Sequence, residues 1–281
     1  MKFALYTFGS GAKTYMEQVD HAIRFGCTAV EPLINLDFKD MNLDNAKRVR
    51  EYMDATNMQI PCFSFFVQFQ EDPKAGIERI KKAMDMAKVL GSPYFHHTVG
   101  KRAYEGQPFR EYLKIAVDVI RETSAYAEQN GMQLLIEPQG YVMNGVRNLS
   151  ALFDSVKAPI GALLDTGNIL QSGDSVEKYI KAFGPLIRHV HIKDMLIRKK
   201  PPICPDRYWL QVGNTKGMVR QTVVGTGDID FIRVLKMLKA LGYNGWYSLE
   251  YDTPEAFDIY YPRSMKNFAA MHAEVFGSDK N

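Results

Sequence analysis

The feature of this sequence that most constrains its fold is an alternation of short β-rich runs and longer helical patterns, repeated eight times over 281 residues. Consecutive parallel strands need crossover connections, so the alternation predicts a parallel α/β sheet. The chain has no linker-like or low-complexity segment, which favours one domain over residues 1–281, closed as a (β/α)8 TIM barrel. The predicted strands fall in the segments 2–9, 28–34, 59–66, 93–100, 133–140, 160–167, 187–194 and 245–252.

The alternative arrangement for such a chain is a doubly wound open sheet. Sheets of that kind often carry a glycine-rich phosphate-binding motif after a strand. Here no GxGxxG follows the first predicted strand, and no GxxxxGK(S/T) occurs anywhere. The closed barrel is therefore preferred.

Charge and cysteine content argue against several classes of protein. The net charge is +3 and no basic block stands out beyond 198–200, so we expect no nucleic-acid partner. No apolar run approaches the length of a membrane span, so we expect no membrane association. Cys27, Cys62 and Cys204 are odd in number and far apart, which indicates a reducing compartment and a cytoplasmic protein.

One connection between a predicted strand and the next helix is much longer than the others. Residues 195–224, between the seventh strand and the seventh helix, show no clear period. Loops of that length in a compact domain are usually functional or disordered. Tyr208, Trp209 and Leu210 favour a lid that packs on something, with a plain surface excursion as the alternative. Beyond it, Asp230 is predicted to cap the next helix.

Four consecutive predicted strands end in side chains that can bind a metal: Glu137, Asp165, His191 and Glu250. In a parallel barrel these ends meet on one rim, where active sites lie. Three carboxylates there would repel one another and resist ionisation, a cost that a cation removes. An oxygen-rich set with one imidazole suits one divalent ion, with Mn²⁺ preferred, Mg²⁺ or Co²⁺ as alternatives, and Zn²⁺ less favoured.

The segment "IRHVHIKD" (187–194) adds two further polar side chains to this rim. Because side chains alternate along a strand, His189, His191 and Lys193 share one face. We interpret His189 as a buried histidine held by a hydrogen bond. Lys193 is predicted to contact the substrate, by polarising a carbonyl or holding a phosphate, or to form a salt bridge with a neighbouring carboxylate.

Such a site suggests a reaction. A substrate could chelate the ion through adjacent carbonyl and hydroxyl oxygens, and the ion would stabilise an enediolate. Glu137 and Glu250 could then move the proton at the carbon next to the carbonyl. This predicts an isomerase or epimerase that acts by metal-assisted proton transfer. The alternative is a dehydratase, a lyase that uses the same chemistry but expels a β-hydroxyl as water.

At these residues the chain resembles the xylose isomerase-like TIM barrels, in the sugar phosphate isomerase/epimerase group. That group includes ketose 3-epimerases, hydroxypyruvate isomerase and inosose dehydratase. The resemblance implies a sugar as the substrate of the isomerase or epimerase, and an inosose or keto-sugar as the substrate of the alternative dehydratase. The resemblance implies a single divalent metal on the four strand-end residues, with Glu137 and Glu250 doubling as acid and base in the epimerases. The matching segments are "LLIEP" (134–138), "ALLDTGN" (162–168), "IRHVHIKD" (187–194), "VGTGDIDF" (224–231) and "GYNGWYSLEYD" (242–252).

Two positions depart from the ketose 3-epimerase pattern. Asn168 stands where those enzymes have a histidine that touches substrate. Ile197 stands where they have an arginine, although Arg198 is next to it. With the basic, aromatic lid, these departures suggest a larger or differently shaped substrate, such as a cyclitol, a keto-glycoside or a sugar phosphate.

The remaining substrate-contact candidates follow other strands. Only one of the adjacent His96 and His97 can face the barrel interior; His97 is favoured and His96 is kept open. Gln139 and Glu31 could each hydrogen-bond a substrate hydroxyl, and a surface cation is the alternative partner for Glu31. Asn168 and Arg198 complete the candidates.

Two remote alternatives and one open question remain. Endonuclease IV, a DNA-repair nuclease, shares the barrel but needs a histidine-rich three-metal cluster, and the third strand here offers Ser64 instead of a histidine. A non-catalytic sugar-binding barrel is disfavoured because all four metal ligands are present. The apolar face of the last helix (260–276) packs either on its own barrel or on a second copy in a homo-oligomer.

Overall fold

The computed structural model describes residues 1–6, 10–100, 107–140, 142–213 and 215–277. Eight of its strands form one parallel sheet in the order β2-β1-β11-β7-β6-β5-β4-β3. Parallel bridges from Ala29 to Gln59 and from Leu33 to Ser64 join its two edges. The predicted (β/α)8 TIM barrel is confirmed. Its strands are β1 (Phe3–Tyr6), β2 (Ala29–Glu31), β3 (Phe63–Phe65), β4 (Tyr94–His97), β5 (Gln133–Ile136), β6 (Gly161–Asp165), β7 (Ile187–Ile192) and β11 (Tyr247–Leu249).

Each strand lies within a segment where the sequence predicted one. The first predicted strand covered 2–9, of which 7–9 lie outside the described residues. The observed strands are shorter than the predicted segments: β5 ends at Ile136 and β11 at Leu249, and Glu137 and Glu250 come directly after them. This places them on the rim rather than inside the sheet.

Eight helices surround the barrel. Side chains cap the first turns of several of them: Asp72 accepts a hydrogen bond from Ala75 N at 3.0 Å, and Asp230 accepts one from Arg233 N at 3.0 Å. The predicted cap at Asp230 is confirmed. No helix among the described residues is both long and apolar enough to span a membrane. The helices are α1 (Tyr15–Arg24), α2 (Leu43–Ala55), α3 (Pro73–Val89), α4 (Phe109–Gln129), α5 (Val146–Val156), α6 (Val176–Phe183), α7 (Phe231–Ala240) and α8 (Phe257–Phe276).

The stretch that showed no period contains a small antiparallel sheet, hereafter the lid sheet. It consists of β8 (Asp194–Arg198), β9 (Leu210–Gln211) and β10 (Met218–Thr222), in the order β8-β10-β9. Sequence periodicity missed it because β9 is two residues long and because much of β8 and β9 is exposed. Gln221 connects the lid sheet to the barrel: its Nε2 donates to Glu250 O at 2.7 Å and to the Tyr260 hydroxyl at 2.8 Å.

Asp194 fixes the way the chain leaves β7. Its Oδ2 accepts hydrogen bonds from Gly225 N and Gly227 N, each at 2.8 Å, and its Oδ1 accepts from Met195 N at 2.8 Å and Ile229 N at 3.3 Å. A Cβ atom at Gly227 would lie 2.2 Å from Asp194 Oδ1, so only glycine fits there. One buried carboxylate thus joins the start of the lid sheet to the turn that precedes α7.

We predict that Asp194→Ala lowers the free energy of unfolding by about 3 kcal/mol or more, because four backbone N–H groups lose their acceptor. Denaturant unfolding followed by circular dichroism measures this change. Asp118→Ala, at an exposed position of α4, is the matched control and should be nearly neutral. Equal stability of the two variants would contradict the role of Asp194.

Candidate metal centre

The four predicted ligands come from strands that are neighbours in the barrel, in the order β11-β7-β6-β5. Asp165 ends β6 and pairs in register with His191 of β7. Glu137 directly follows β5, and Glu250 directly follows β11. Parallel strands place these ends on one rim. All four residues are buried there, which the apolar helices around the barrel make possible.

The carboxylates surround one nitrogen of the imidazole. His191 Nδ1 lies 3.4 Å from Glu250 Oε2, 3.6 Å from Glu137 Oε2 and 3.9 Å from Asp165 Oδ2. Two atoms that each lie about 2.1 Å from one ion are themselves roughly 3 to 4 Å apart, so these spacings suit a shared cation.

Two buried atoms support this fit. His191 Nδ1 has no hydrogen-bond partner among the described residues, and Asp165 Oδ2 has none there beyond its ion pair with Lys193 Nζ at 3.1 Å. Buried polar atoms normally have a partner, and orphaned ones indicate an ion or water that would satisfy them. The ligand atoms of Glu137, Asp165 and His191 also lie within 4.8 Å of one another. The residues present therefore fit a divalent cation.

The other ring nitrogen of His191 contacts a buried carboxylate, that of Glu31. Glu31 Oε1 lies 2.9 Å from His191 Nε2, and Glu31 Oε2 lies 2.7 Å from His189 Nε2. Because Nε2 of His191 is engaged, Nδ1 is the nitrogen left for a metal, an arrangement common behind metal-binding histidines. Burial raises the pKa of Glu31, but the charges of His191 and His189 outweigh it and hold that pKa well below its ordinary value.

The prediction that Glu31 contacts substrate is therefore wrong. Its side chain is fully buried beneath the rim, and Ser64 Oγ also donates to it at 3.1 Å. The reason is geometric, because β2 directs both carboxylate oxygens at His189, His191 and Ser64. The interpretation of His189 as a buried, hydrogen-bonded histidine is confirmed.

The two adjacent histidines of β4 face opposite ways, as strand alternation requires. His96 points inward: its Nε2 lies 3.2 Å from Glu137 Oε1 and its Nδ1 lies 3.2 Å from Ser64 Oγ. His97 points outward, with Nε2 3.1 Å from Thr123 Oγ1 of α4. The preference for His97 over His96 is corrected, because His96 is the ring that lies beside the predicted ligands, and it stays the candidate substrate contact of the two. Burial lowers the pKa of both rings to about 4, so both are neutral near pH 7.

Lys193 lies among the carboxylates. Its Nζ is 2.9 Å from Glu250 Oε1 and 3.1 Å from Asp165 Oδ2, and it donates to Asn168 Oδ1 at 3.0 Å. Burial lowers the pKa of Lys193, but Asp165 and Glu250 outweigh it and raise that pKa above its ordinary value. A Cβ at Gly167 would lie 2.8 Å from Lys193 Cβ, which explains the glycine of "DTGN".

The two remaining candidates lie in different surroundings. Gln139 follows Glu137 by two residues, and its buried Oε1 has no hydrogen-bond partner among the described residues, so it stays a candidate. Arg198 ends β8, is half exposed, and lies 3.4 Å from Asp228 Oδ2. The described contacts of Arg198 do not include the four ligands, because β8 runs away from the rim. Its place in the substrate site is not supported by these contacts.

Sequence reasoning missed the supporting residues. Ser64 bridges Glu31 and His96, and Glu31 orients His191, the predicted metal ligand. The only signal in the sequence was their polar character inside two short apolar strands. A contact between β2, β3 and β7 requires the closed barrel and cannot be read from the chain order.

We predict that Glu31→Gln weakens Mn²⁺ binding about 10- to 100-fold, because the amide no longer fixes the tautomer and orientation of His191. Titration calorimetry of metal-free protein measures the affinity. Glu51→Gln, exposed on α2, is the control, and His191→Ala should lose more because it removes the ligand itself. Wild-type affinity in both Glu31→Gln and His191→Ala would contradict the ligand set.

Comparison with known proteins gives the family. The family model described as xylose isomerase-like TIM barrel matches residues 19–269. An inosose dehydratase of Clostridium perfringens is 26% identical over 220 residues, which cover 73% of each chain.

Two solved structures share the fold. The IolI protein with a bound zinc atom superposes with a TM-score of 0.75 at 20% identity, covering 98% of both chains. A D-psicose 3-epimerase in the presence of D-fructose superposes with a TM-score of 0.73 at 14% identity, covering 99% of this chain and 100% of the other. At these identities the likeness is one of fold.

Proposed function

The chain belongs to the xylose isomerase-like TIM barrel family, and we propose that it is a divalent-metal-dependent enzyme that removes the proton next to a carbonyl of a cyclitol or sugar ketone and then eliminates water. The observation that carries the proposal is the convergence of Glu137, Asp165 and Glu250 on Nδ1 of His191. The curated relative named inosose dehydratase supports elimination as the reaction.

The donor set would hold the ion through Glu137, Asp165, His191 and Glu250. When bound, a divalent cation supplies the positive charge that stabilises a developing enolate oxygen. We propose Mn²⁺ first, on the strength of the three carboxylates, and zinc as the competing ion because imidazole and carboxylate also suit it.

The two glutamates have unlike neighbours. Glu137 Oε1 lies beside the neutral ring of His96, whereas Glu250 Oε1 lies beside the ammonium of Lys193. An elimination needs a proton acceptor at the carbon and a hydrogen-bond donor at the departing hydroxyl. Glu137 suits the first role, and Lys193 suits the second. This asymmetry favours elimination.

A second candidate is the isomerase or epimerase reaction. The observation in its favour is that Glu137 and Glu250 come from different strands and both reach the donor set. Two such carboxylates could exchange a proton on opposite faces of one carbon. The two reactions share the first proton transfer and differ in product mass.

The lid sheet enters the proposal as a cover over the substrate. Gln221 Nε2 donates a hydrogen bond to the backbone oxygen of Glu250, so movement of this sheet would shift the position of Glu250. A single domain, a cytoplasmic location and a homo-oligomer remain predictions.

We predict that Glu137→Gln and Glu250→Gln each lower activity by at least about 10²-fold, the scale of general acid–base catalysis. Mass spectrometry of an inosose incubated in D₂O with the Mn²⁺-loaded protein measures the reaction. Loss of one water identifies the dehydratase, and gain of one deuteron without that loss identifies the isomerase or epimerase. Glu128→Gln, exposed near the end of α4, is the control.

Near wild-type rates in both glutamine variants would remove the two glutamates from the reaction. No change in mass across inososes, ketoses and keto-glycosides would contradict the proposed function. The same experiment after metal removal, with Mn²⁺, Mg²⁺, Co²⁺ or Zn²⁺ restored one at a time, identifies the ion that supports the activity.

A further inference from the structure

A cavity of about 660 Å³ is lined by segments that follow residues of the candidate metal centre along the chain. Three segments border it, and each continues from a residue of the centre. Gly140 follows Glu137 by three residues, and Gln171 follows Asn168 by three on one short 3-10 helix (Asn168–Ser172). The third segment, around Leu210, belongs to the lid sheet that begins after Lys193. The cavity therefore lies on the catalytic face of the barrel and has the size of small-molecule sites.

Hydrogen bonds within and between the three segments fix the walls of this cavity. Gly213 N of the lid sheet donates to Gln171 O at 2.8 Å. Asp174 Oδ2 accepts from Val146 N, the first residue of α5, at 2.8 Å. Asn148 Nδ2 donates to Val142 O at 2.7 Å, within the segment after β5. The walls are thus held together without any ligand.

The chemistry of the lining suits a hydroxylated group with many hydrogen-bonding atoms. Side-chain amides line it from all three segments: Asn144, Asn148, Gln171 and Gln211. Lys178 pairs with Asp174, so Arg147 supplies the net charge and a fork of hydrogen-bond donors. Leu210 and Val142 add apolar surface. A sugar ring has the matching pattern, with hydroxyls at its edge and C–H groups on its faces.

One buried atom of the lining, Oδ1 of Asn144, is suited to accept a hydrogen bond from a ligand in the cavity. Asn144 is 6% exposed, lines the cavity, and its Oδ1 has no hydrogen-bond partner among the described residues. A buried amide oxygen without a partner is costly, and a hydroxyl donor in the cavity would satisfy it.

We propose that this cavity is a glycosyl subsite, so that the substrate is a keto-glycoside with one ring at the metal centre and a second sugar ring between Asn144, Gln171 and Leu210. The inference rests on the proposed function, whose substrate class it narrows. A cyclitol of one ring would fill the centre and leave the subsite unused.

The test compares two keto substrates of the Mn²⁺-loaded protein: a keto-glucoside of one ring and a keto-cellobioside of two rings, with the ketone at the same carbon. We expect kcat/KM to be at least about tenfold higher for two rings, the size that one or two hydrogen bonds give. The double variant Asn144→Leu/Gln171→Leu should lose this advantage through KM while its rate on one ring is unchanged. Gln129→Leu, at the end of α4, is the matched control.

Equal use of the two substrates by the wild type, or an advantage that survives in the double variant, overturns the subsite. If neither substrate reacts, the proposed function is decided by the mass-spectrometry panel of inososes and ketoses, and calorimetric titration with unreactive methyl cellobioside decides the subsite alone. Binding by the wild type and by Gln129→Leu that is lost in the double variant supports it. No binding by the wild type overturns it.

Discussion

The candidate metal centre depends on the imidazole of His191, because both of its ring nitrogens face carboxylates. Glu31 bonds Nε2 of His191, and three carboxylates face Nδ1. Strand β7 lies between β6 and β11, so carboxylates approach the ring from both sides. Like charges this close are stable only with a counter-charge between them, and Lys193 bridges two of them in this structure. A divalent ion would serve all three at once.

The end of β7 positions both the candidate metal centre and the lid sheet. Lys193 turns inward to the carboxylates, and the next residue, Asp194, turns outward and gathers four backbone N–H groups. That outward carboxylate sets the direction in which the lid sheet leaves the barrel. The lid sheet in turn forms one wall of the cavity beside Gln171. Two adjacent side chains on opposite faces of one strand thus connect the predicted metal ligands, the lid sheet and the cavity.

The errors in the sequence reasoning have a common physical origin. The strand ends were located from chain order and alternation, and both are local properties. Which of His96 and His97 faces inward depends on the absolute register of β4 in the barrel, and alternation gives only that they differ. The depth of Glu31 depends on the stagger of β2 against β7. Arg198 was placed by its distance along the chain, although the chain turns away into an antiparallel sheet.

The sequence by itself determined the barrel and placed four candidate metal ligands at neighbouring strand ends, because strand–helix alternation and polar strand ends follow from local hydrophobic pattern. Tertiary structure alone decided which atoms meet. Glu31, Ser64 and His96 lie on the consecutive strands β2, β3 and β4, and their network also includes His191 of β7, which is 160 residues from Glu31 in the chain. The cavity beside Asn144 also exists only because three loops converge on it. Such contacts depend on the stagger of strands around a closed barrel, a long-range quantity that no local pattern encodes.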